Sequence, residues 1–242
     1  MSAPHDEARA VAERYARRPL DDRYSPLHPH VLMALQERQR AMRRLLLRAG
    51  LRELSQTRLL EVGCGSGGNL LEMLRFGFAS DHLIGLELLP ERLAQARAAL
   101  PAGVRLSGGD ALQADVPAES QDIVMAATVF SSLLDDDFQQ QLAQAMWRWL
   151  KPGGAVLWFD FTVDNPRNPD VRGVPVQRLR ALFPHARLHH ERVTLAPPLA
   201  RAVCAVHPAA YTLLNLLPML RTHVMAWLVK PRDQSDASQT IG

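Results

Sequence analysis

The sequence of 242 residues is poor in cysteine, which limits both its chemistry and its compartment. Cys64 and Cys204 are the only cysteines, so neither a disulfide framework nor a four-cysteine zinc site can form. Reduced thiols are typical of the cytoplasm, and we predict a cytoplasmic protein without a metal. His185 and His189 lie four residues apart, but no glutamate follows His185 as the helical zinc motif requires.

Long hydrophobic runs are also lacking. The longest apolar stretch, residues 211–220, contains Asn215 and Pro218 and falls short of the ~20 residues that span a bilayer. The first ten residues are polar, so we expect no signal peptide there.

An excess of one charge is likewise absent, since 28 Lys and Arg face 25 Asp and Glu. A net charge of +3 does not indicate nucleic-acid binding, and we expect no DNA partner. RNA is disfavoured, because it would need a basic groove such as one built from Arg38, Arg40, Arg43 and Arg44. The hydrophobic share of 47% is typical of a globular domain, whose oligomeric state stays open.

From residue 51 onward, segments whose apolar residues have the spacing of a strand alternate with segments whose apolar residues have the spacing of a helix. This alternation predicts a parallel sheet with helices on both faces. A further helix is predicted from Val31 to just before Gly50, with Arg38 and its neighbouring arginines on the polar side. Strands are predicted at 58–63, 82–87, 104–106, 122–129, 155–161, 185–195 and 223–229, and helices at 69–76, 90–100, 136–150 and 176–183.

A glycine-rich loop joins the first predicted strand to the next helix. Glycines there let the backbone turn sharply and approach a ligand at the helix N-terminus. Glu61 precedes the first glycine and suits a cationic amino group or a sulfonium. Glu87 ends the next strand, where an acid accepts hydrogen bonds from ribose hydroxyls. Asp110 follows the third strand, where it can accept from an adenine amino group.

These motifs resemble those of the class I S-adenosylmethionine-dependent methyltransferases. Residues 61–67 look like the first motif of that family, 121–124 like its strand-four motif, and 150–154 like the turn before strand five. The resemblance implies an α/β fold, a Rossmann-like doubly wound seven-stranded sheet with the last strand antiparallel. It also implies S-adenosyl-L-methionine as cofactor and methyl transfer as activity. The implied cofactor-binding residues are Glu61, Gly63, Cys64, Gly65, Gly67, Glu87, Leu88, Asp110, Ala111 and Thr128.

Two other functions remain open at this stage. Gly63, Gly65 and Gly68 also fit the dinucleotide fingerprint of a nicotinamide-dependent oxidoreductase. No tyrosine has a lysine four residues later, however, as a short-chain dehydrogenase requires. A non-catalytic scaffold subunit could also keep the cofactor-binding fold.

The acceptor is predicted to be a small molecule or a glycan, with oxygen favoured over nitrogen. The Pro-Pro tetrapeptide of many nitrogen methyltransferases is absent after strand four, and the loop after strand five is rich in hydroxyl-binding side chains. The candidate general bases are His207, His223 and Asp164. The candidate substrate residues are Tyr24, Ser131, Asn165, Arg167 and Tyr211.

Segments outside the alternation are predicted to cover the acceptor. We expect an N-terminal helical cap at 1–50, in which Tyr15 or Tyr24 closes over the cofactor. The S-adenosylmethionine-binding core is placed at 51–195 and a helical insertion at 196–222. The last core strand is placed at 223–231 and a polar tail at 232–242. The apolar stretch within 208–222 is interpreted as a buried or dimer-forming helix, with an apolar acceptor pocket or a peripheral membrane contact as alternatives.

Overall fold

The chain forms one mixed sheet with helices on both sides. The structure, a computed structural model, describes residues 4–17, 22, 24–166 and 168–232, and of residues 4–6 the backbone only. The helices are α1 Pro4–Ala16, α2 Pro29–Arg48, α3 Gly68–Phe76, α4 Pro90–Ala99, α5 Asp136–Trp149, α6 Val176–Leu182, α7 Pro197–Val206 and α8 Pro208–Leu214. The strands are β1 Leu59–Val62, β2 Leu83–Glu87, β3 Arg105–Gly108, β4 Gln121–Ala127, β5 Leu150–Phe161, β6 Arg187–Leu195 and β7 Arg221–Val229.

Local sequence signals set several of these boundaries. α2 begins at Pro29, whose fixed φ suits the first helical turn, and ends before Gly50, whose φ is +76°. α5 begins after Asp135, whose carboxylate accepts a hydrogen bond from the Phe138 N–H at 2.8 Å. These start and stop signals explain why the predicted and observed boundaries of α2 and α5 agree closely.

The sheet has the strand order β3-β2-β1-β4-β5-β7-β6. β7 pairs antiparallel with both β5 and β6, and the remaining pairs are parallel. The predicted seven-stranded Rossmann-like sheet with an antiparallel last strand is therefore confirmed. The chain reverses its direction of sheet growth between β1 and β4, and ligands of such sheets bind at the carboxyl ends of the strands beside this point.

Alternation along the strands divides the core between two faces. Leu60 and Val62 pack with residues of α1, α5 and α6. Leu59 packs with residues of α2, α3 and α4 on the other face. Because successive side chains of a strand point to opposite faces, Glu61 lies on the same face as Leu59. A carboxylate is thus placed in an apolar layer.

The N-terminal segment differs from the prediction in two respects. Residues 4–16 form α1, although the sequence shows no clear period there; its buried side chains Ala8 and Val11 are small. α1 and α2 lie on opposite faces of the sheet, so the segment 1–50 is not one cap. The placement of Arg38 on the polar side of α2 was wrong. Its side chain is only 16% exposed, in the stripe shared with Met42.

The helical insertion contains α7, α8 and a 3₁₀ turn at Pro218–Leu220. It leaves the sheet after β6 and returns at β7, which begins two residues earlier than predicted. β5 and β6 both run antiparallel to β7, so the insertion starts at the same carboxyl edge as the glycine loop. Its apolar side packs on Met33 of α2. Among the described helices, none combines the length and apolarity needed to cross a bilayer.

Candidate active site

The glycine loop is fixed by backbone geometry that only glycine permits. Gly63 has a φ of +64°, and a Cβ atom added there would lie 2.8 Å from Cγ2 of Val129. The Gly65 N–H donates to Oε2 of Glu87 at 2.7 Å, which ties the loop to the end of β2. The backbone is therefore held close to the space above the carboxyl ends of β1 and β4.

A pocket opens above the carboxyl ends of β1, β2, β3 and β4. Six of the predicted cofactor residues line it: Gly63, Glu87, Leu88, Asp110, Ala111 and Thr128. Ala8, Val11 and Tyr15 of α1 also line it. The Arg92 guanidinium lies 4.6 Å from the centre of the Tyr15 ring, a cation–π contact. Tyr15 thus lies against the cofactor pocket, whereas Tyr24 is 81% exposed and outside it.

Two carboxylates line the pocket with different bonding. Both oxygens of Glu87 accept backbone N–H groups, from Gly65 at 2.7 Å and from Leu89 at 2.9 Å. Each carboxylate oxygen retains a second lone pair, so Glu87 can still accept ribose hydroxyls. Asp110 uses Oδ1 to accept from the Leu112 N–H at 2.9 Å. Its Oδ2 is buried and has no partner among the described residues, an arrangement that costs free energy unless a ligand donates to it.

Glu61 is a fully buried carboxylate two residues before Gly63. Its Oε1 accepts from Nδ2 of Asn69 at 2.6 Å, while Oε2 is buried without a partner. Burial raises the pKa of Glu61 to about 7, against the opposing effects of Asn69 and the Arg38 charge. Glu61 therefore exchanges a proton near neutrality and is suited to a cationic ligand group.

The end of β4 carries backbone strain. Thr128 has a φ of +56°, which is unusual for a β-branched residue, and its N–H donates to the Phe159 carbonyl at 2.7 Å. The next segment is held by Asp160, whose two oxygens accept from the backbone N–H groups of Ser131 and Phe161 at 3.0 and 2.9 Å. From the end of β5, Asp160 thus holds the segment whose Val129 and Ser132 line the pocket.

A second group of polar side chains lies on the α2 face of the carboxyl edge. We call Arg38, Glu72, Phe159, Phe161 and His223 the Arg38 cluster. The Arg38 guanidinium lies 5.4 Å from the centre of the Phe159 ring and 3.6 Å from Oε2 of Glu72, and its Nε is buried without a partner. The His223 ring stacks on Phe159 at 5.1 Å and meets Phe161 edge-on at 5.9 Å. Burial, with the Arg38 charge, lowers the pKa of His223 to about 4, so its imidazole is neutral at pH 7.

Two of the predicted base candidates have structural partners instead. Asp164 accepts from the Gly173 N–H at 2.8 Å and closes the loop after β5. His207 caps α8, and its Nδ1 accepts from the Ala209 N–H at 3.1 Å. Both side chains are exposed and outside the pocket lining. Of the three candidates, only His223 lies in a buried cluster at the carboxyl edge.

The predicted substrate residues are scattered. Tyr211 is buried and its hydroxyl donates to Oε2 of Glu37 at 2.8 Å, a contact that joins α8 to α2. Ser131 is buried and its N–H is held by Asp160. Asn165 is exposed on the loop after β5. Arg167 lies outside the described residues. The structure does not bring these side chains together.

The remaining predicted cofactor positions lie outside the lining. The Cys64 side chain packs beneath the loop, where a Cβ added to Gly85 would lie 2.8 Å from its Sγ. Burial raises the pKa of this thiol to about 12, which makes it a poor nucleophile. Gly65 and Gly67 shape the turn through their backbone, each with a positive φ.

Sequence reasoning missed Arg38 and Arg92 as site residues. Arg38 could have been found, because it lies four residues before Met42 and seven before Leu45, on the buried stripe of α2. No sequence signal indicates that Arg92 meets Tyr15, since the two residues belong to different helices. Within the part of the chain described, no three His, Cys, Asp or Glu side chains are grouped as a metal site.

Comparison with known proteins identifies the domain. Residues 59–154 match the family model of a methyltransferase domain. The structure resembles an S-adenosylmethionine dependent methyltransferase from Mesorhizobium loti, with 19% identity and a TM-score of 0.56 over 76% of this chain and 96% of that chain. It also resembles a possible histamine N-methyltransferase from Thermotoga maritima, with 16% identity and a TM-score of 0.58 over 94% and 100%. No curated protein sequence matches the chain significantly.

A structure with a bound cofactor shares the fold as well. Phosphoethanolamine N-methyltransferase 2 of Haemonchus contortus in complex with S-adenosyl-L-methionine has 17% identity and a TM-score of 0.58, over 78% of this chain and 51% of that chain. At these identities the structural likeness concerns the fold, and the family model adds the class. Residues 59–154 thus form a methyltransferase domain, and the fold is the one shared by these S-adenosylmethionine-dependent methyltransferases.

Proposed function

We propose that this methyltransferase acts on a carboxylate oxygen of a small molecule. The proposal narrows the expected small-molecule or glycan oxygen acceptor to an anionic one, which includes an acidic sugar. The observation that carries it is the Arg38 cluster, which offers a cation and a neutral, weakly basic imidazole at the carboxyl edge. The roof formed by α1 over the pocket favours a small acceptor over a macromolecule.

The three acidic positions among the predicted cofactor residues suit S-adenosylmethionine in their acceptor chemistry. We assign the unpartnered Oδ2 of Asp110 to the adenine amino group and the free lone pairs of Glu87 to the ribose. The unpartnered Oε2 of Glu61 is assigned to the ammonium of the methionine part. The assignments of Asp110 and Glu61 each supply a donor to an acceptor that is otherwise buried and unsatisfied among the described residues.

The chemistry proposed for the chain needs little proton transfer. When bound, S-adenosylmethionine supplies a methyl group activated by a sulfonium. The carboxylate oxygen of the acceptor forms a bond to the methyl carbon while the carbon–sulfur bond breaks, and its electron pair stays on sulfur. No proton moves in this step. Arg38 would bind the carboxylate and orient it, and the aromatic rings would keep water away.

The low basicity of His223 supports a carboxylate over an alcohol. An imidazole whose pKa is lowered to about 4 does not deprotonate an alcohol efficiently, since a good general base has a pKa near the working pH. Asp164 and His207 are engaged elsewhere. An acceptor that is already ionised at neutral pH needs none of these groups as a base.

The cofactor assignment is tested by calorimetric titration with S-adenosylmethionine, S-adenosylhomocysteine and NADH. We expect the first two to bind and NADH not to bind. In Asp110→Asn the remaining oxygen still accepts from the Leu112 N–H. The NH₂ group replaces Oδ2, and this donor would face the amino group of adenine, which is also a donor. A lost or mismatched hydrogen bond of about 2 kcal/mol weakens binding about 30-fold. The exposed Asp115→Asn serves as the matched control, and binding of NADH alone would contradict the assignment.

The acceptor proposal is tested with S-adenosylmethionine labelled in the methyl group. Octanoate, benzoate and glucuronate are compared with the alcohols and amines of the same skeletons. We expect transfer to carboxylates only, with label released by alkali as volatile methanol, because methyl esters hydrolyse and ethers and methylamines do not. Arg38→Gln should lower transfer about 30-fold through loss of a charged hydrogen bond.

The exposed Arg40→Gln, two residues along the same helix, is the control for this experiment. Alkali-stable label, or transfer confined to alcohols or amines, would disprove the carboxylate acceptor. If Arg38→Gln weakens cofactor binding as much as it weakens transfer, Arg38 serves the cofactor and not the acceptor.

A further inference from the structure

The carboxyl edge of the sheet bears a large exposed apolar surface. Eight of the ten exposed large hydrophobic side chains in the described part of the chain lie in two segments, 24–32 and 206–219. We call this surface the apolar face. Its members are Tyr24, Leu27, Leu32, Val206, Leu213, Leu216, Leu217 and Met219, and their exposed fractions range from 43% for Leu32 to 92% for Leu27.

The two segments are neighbours in the fold. α7 and α8 pack on the N-terminal half of α2, and Met33 joins the small core formed by Ala200, Cys204 and Tyr211. Leu32 therefore lies beside the insertion that carries the other exposed side chains. A cluster of this kind marks an interaction surface more often than scattered single residues do.

The apolar side chains near Leu216 stand on a rigid support. The guanidinium of Arg221 donates to the Asn215 carbonyl and, at 2.8 Å, to the Arg192 carbonyl. The Ala196 N–H donates to the Leu220 carbonyl at 2.9 Å, which closes the base of the insertion. Leu216 and Met219 are thus presented outward from a fixed turn.

The charge around this face has one sign. Residues 192–232 contain no Asp or Glu, and neither do residues 24–36. Of the described acids that flank residues 24–36, Asp22 lies 3.2 Å from the His28 ring and Glu37 is buried with Tyr211. Arg201 is exposed on α7, close enough to His30 to lower the pKa of that histidine further after burial and His28. Arg40 and Arg43 extend the stripe of Leu32 along the exposed side of α2.

From this arrangement we propose that the apolar face docks on a membrane containing anionic lipids. Leucine and methionine side chains on a short turn enter the headgroup boundary, while arginines at the rim meet lipid phosphates. A second copy of this chain would instead bring the same exposed arginines together, which costs electrostatic free energy. Docking would set the carboxyl edge, and with it the pocket, toward the bilayer.

Vesicle co-sedimentation of the full chain tests this proposal. Vesicles of phosphatidylcholine with about 30% phosphatidylglycerol are compared with pure phosphatidylcholine vesicles. We expect binding to the anionic vesicles and at least about tenfold weaker binding to the neutral ones, because each basic residue near the surface contributes about 1 kcal/mol. Leu216→Asp with Met219→Asp should reduce binding to the anionic vesicles by a similar factor, and Arg201→Ser by a smaller one.

Leu47→Asp is the matched control, since Leu47 is an exposed leucine at the other end of α2. It should leave vesicle binding unchanged, and all variants should keep the wild-type affinity for S-adenosylmethionine. Absence of wild-type binding, or equal binding of the double variant, would overturn the proposal. One further outcome would overturn it. Light scattering would show that the wild type is a dimer and the double variant a monomer, and the wild type would not bind vesicles.

Discussion

Two buried carboxyl groups at the carboxyl edge of the sheet have unusually high pKa values. Burial raises the pKa of both Glu61 and Asp160 to about 7. Asp160 keeps this value although two backbone N–H groups donate to it, and its role is to hold the segment after β4. Glu61 has one free oxygen, so its protonation responds to whatever ligand approaches it.

This difference predicts that cofactor binding is linked to a proton at Glu61. In the free protein Glu61 takes up a proton below pH 7, and a bound ammonium favours the carboxylate, so binding releases the proton. The affinity for S-adenosylmethionine should rise by up to about fivefold from pH 6 to pH 7 and by about twofold more above pH 7, following the ionised fraction of a carboxyl group with a pKa of about 7. Calorimetry at pH 6 in two buffers of different ionisation enthalpy measures the released proton.

Glu61→Gln should abolish both the proton release and the pH dependence, whereas the exposed Glu53→Gln should leave them unchanged. Equal proton release in Glu61→Gln and in the wild type would refute the linkage.

Among the elements, α1 is joined to the segment after β4 by a buried ion pair whose two side chains also bond to that segment's backbone. Oε1 of Glu7 accepts from the Leu134 N–H at 2.7 Å and from Arg14 at 2.6 Å, and Arg14 also donates to the Ser132 carbonyl at 2.9 Å. Both side chains are about nine-tenths buried. Breaking a buried pair on one side leaves an uncompensated charge and typically costs about 3–5 kcal/mol.

We therefore expect Glu7→Gln to release α1 from the pocket. Amide hydrogen exchange should increase across residues 7–16, while the strands keep their protection, and the affinity for S-adenosylmethionine should fall. Arg9→Gln, which removes the exposed pair between Arg9 and Glu13 on the same helix, should change neither quantity. Unchanged exchange of α1 in Glu7→Gln would contradict this role of the pair.

Across the whole molecule, the sequence predicts the sheet far better than its surroundings. The strands are marked by short apolar runs, such as that of β1 before Gly63 and that of β5 after Gly154, and these signals are local. α1 was missed because its buried positions are Ala8 and Val11, too small to mark an amphipathic face in a polar segment. The helix is held by hydrogen bonds to Ser132 and Leu134, and such distant contacts leave no trace in its own period.

For the site as well, the cofactor side can be predicted from the sequence and the acceptor side cannot. The glycine and acidic residues that line the pocket belong to motifs of fixed spacing, so they could be placed from the sequence, whereas the lining residues of α1 and Arg92 could not. Asp164, His207 and Tyr211 have the right chemistry, but their roles depend on partners such as the Gly173 N–H and Glu37 that no local pattern reveals. The acceptor side is built from segments far apart in the chain, so the arrangement of its side chains is seen only in the structure.

The bond between Glu37 and Tyr211 has a consequence for the order in which the protein assembles. These residues are separated by 174 positions, and α2 also packs on Met225 and Trp227 of β7. During synthesis α2 emerges early, yet the surfaces that bury it are translated near the end. Its apolar stripe must wait in the nascent chain, exposed to aggregation and to chaperones, until the last strand is complete. α2 is therefore one of the first helices to be translated and one of the last to pack into its final position.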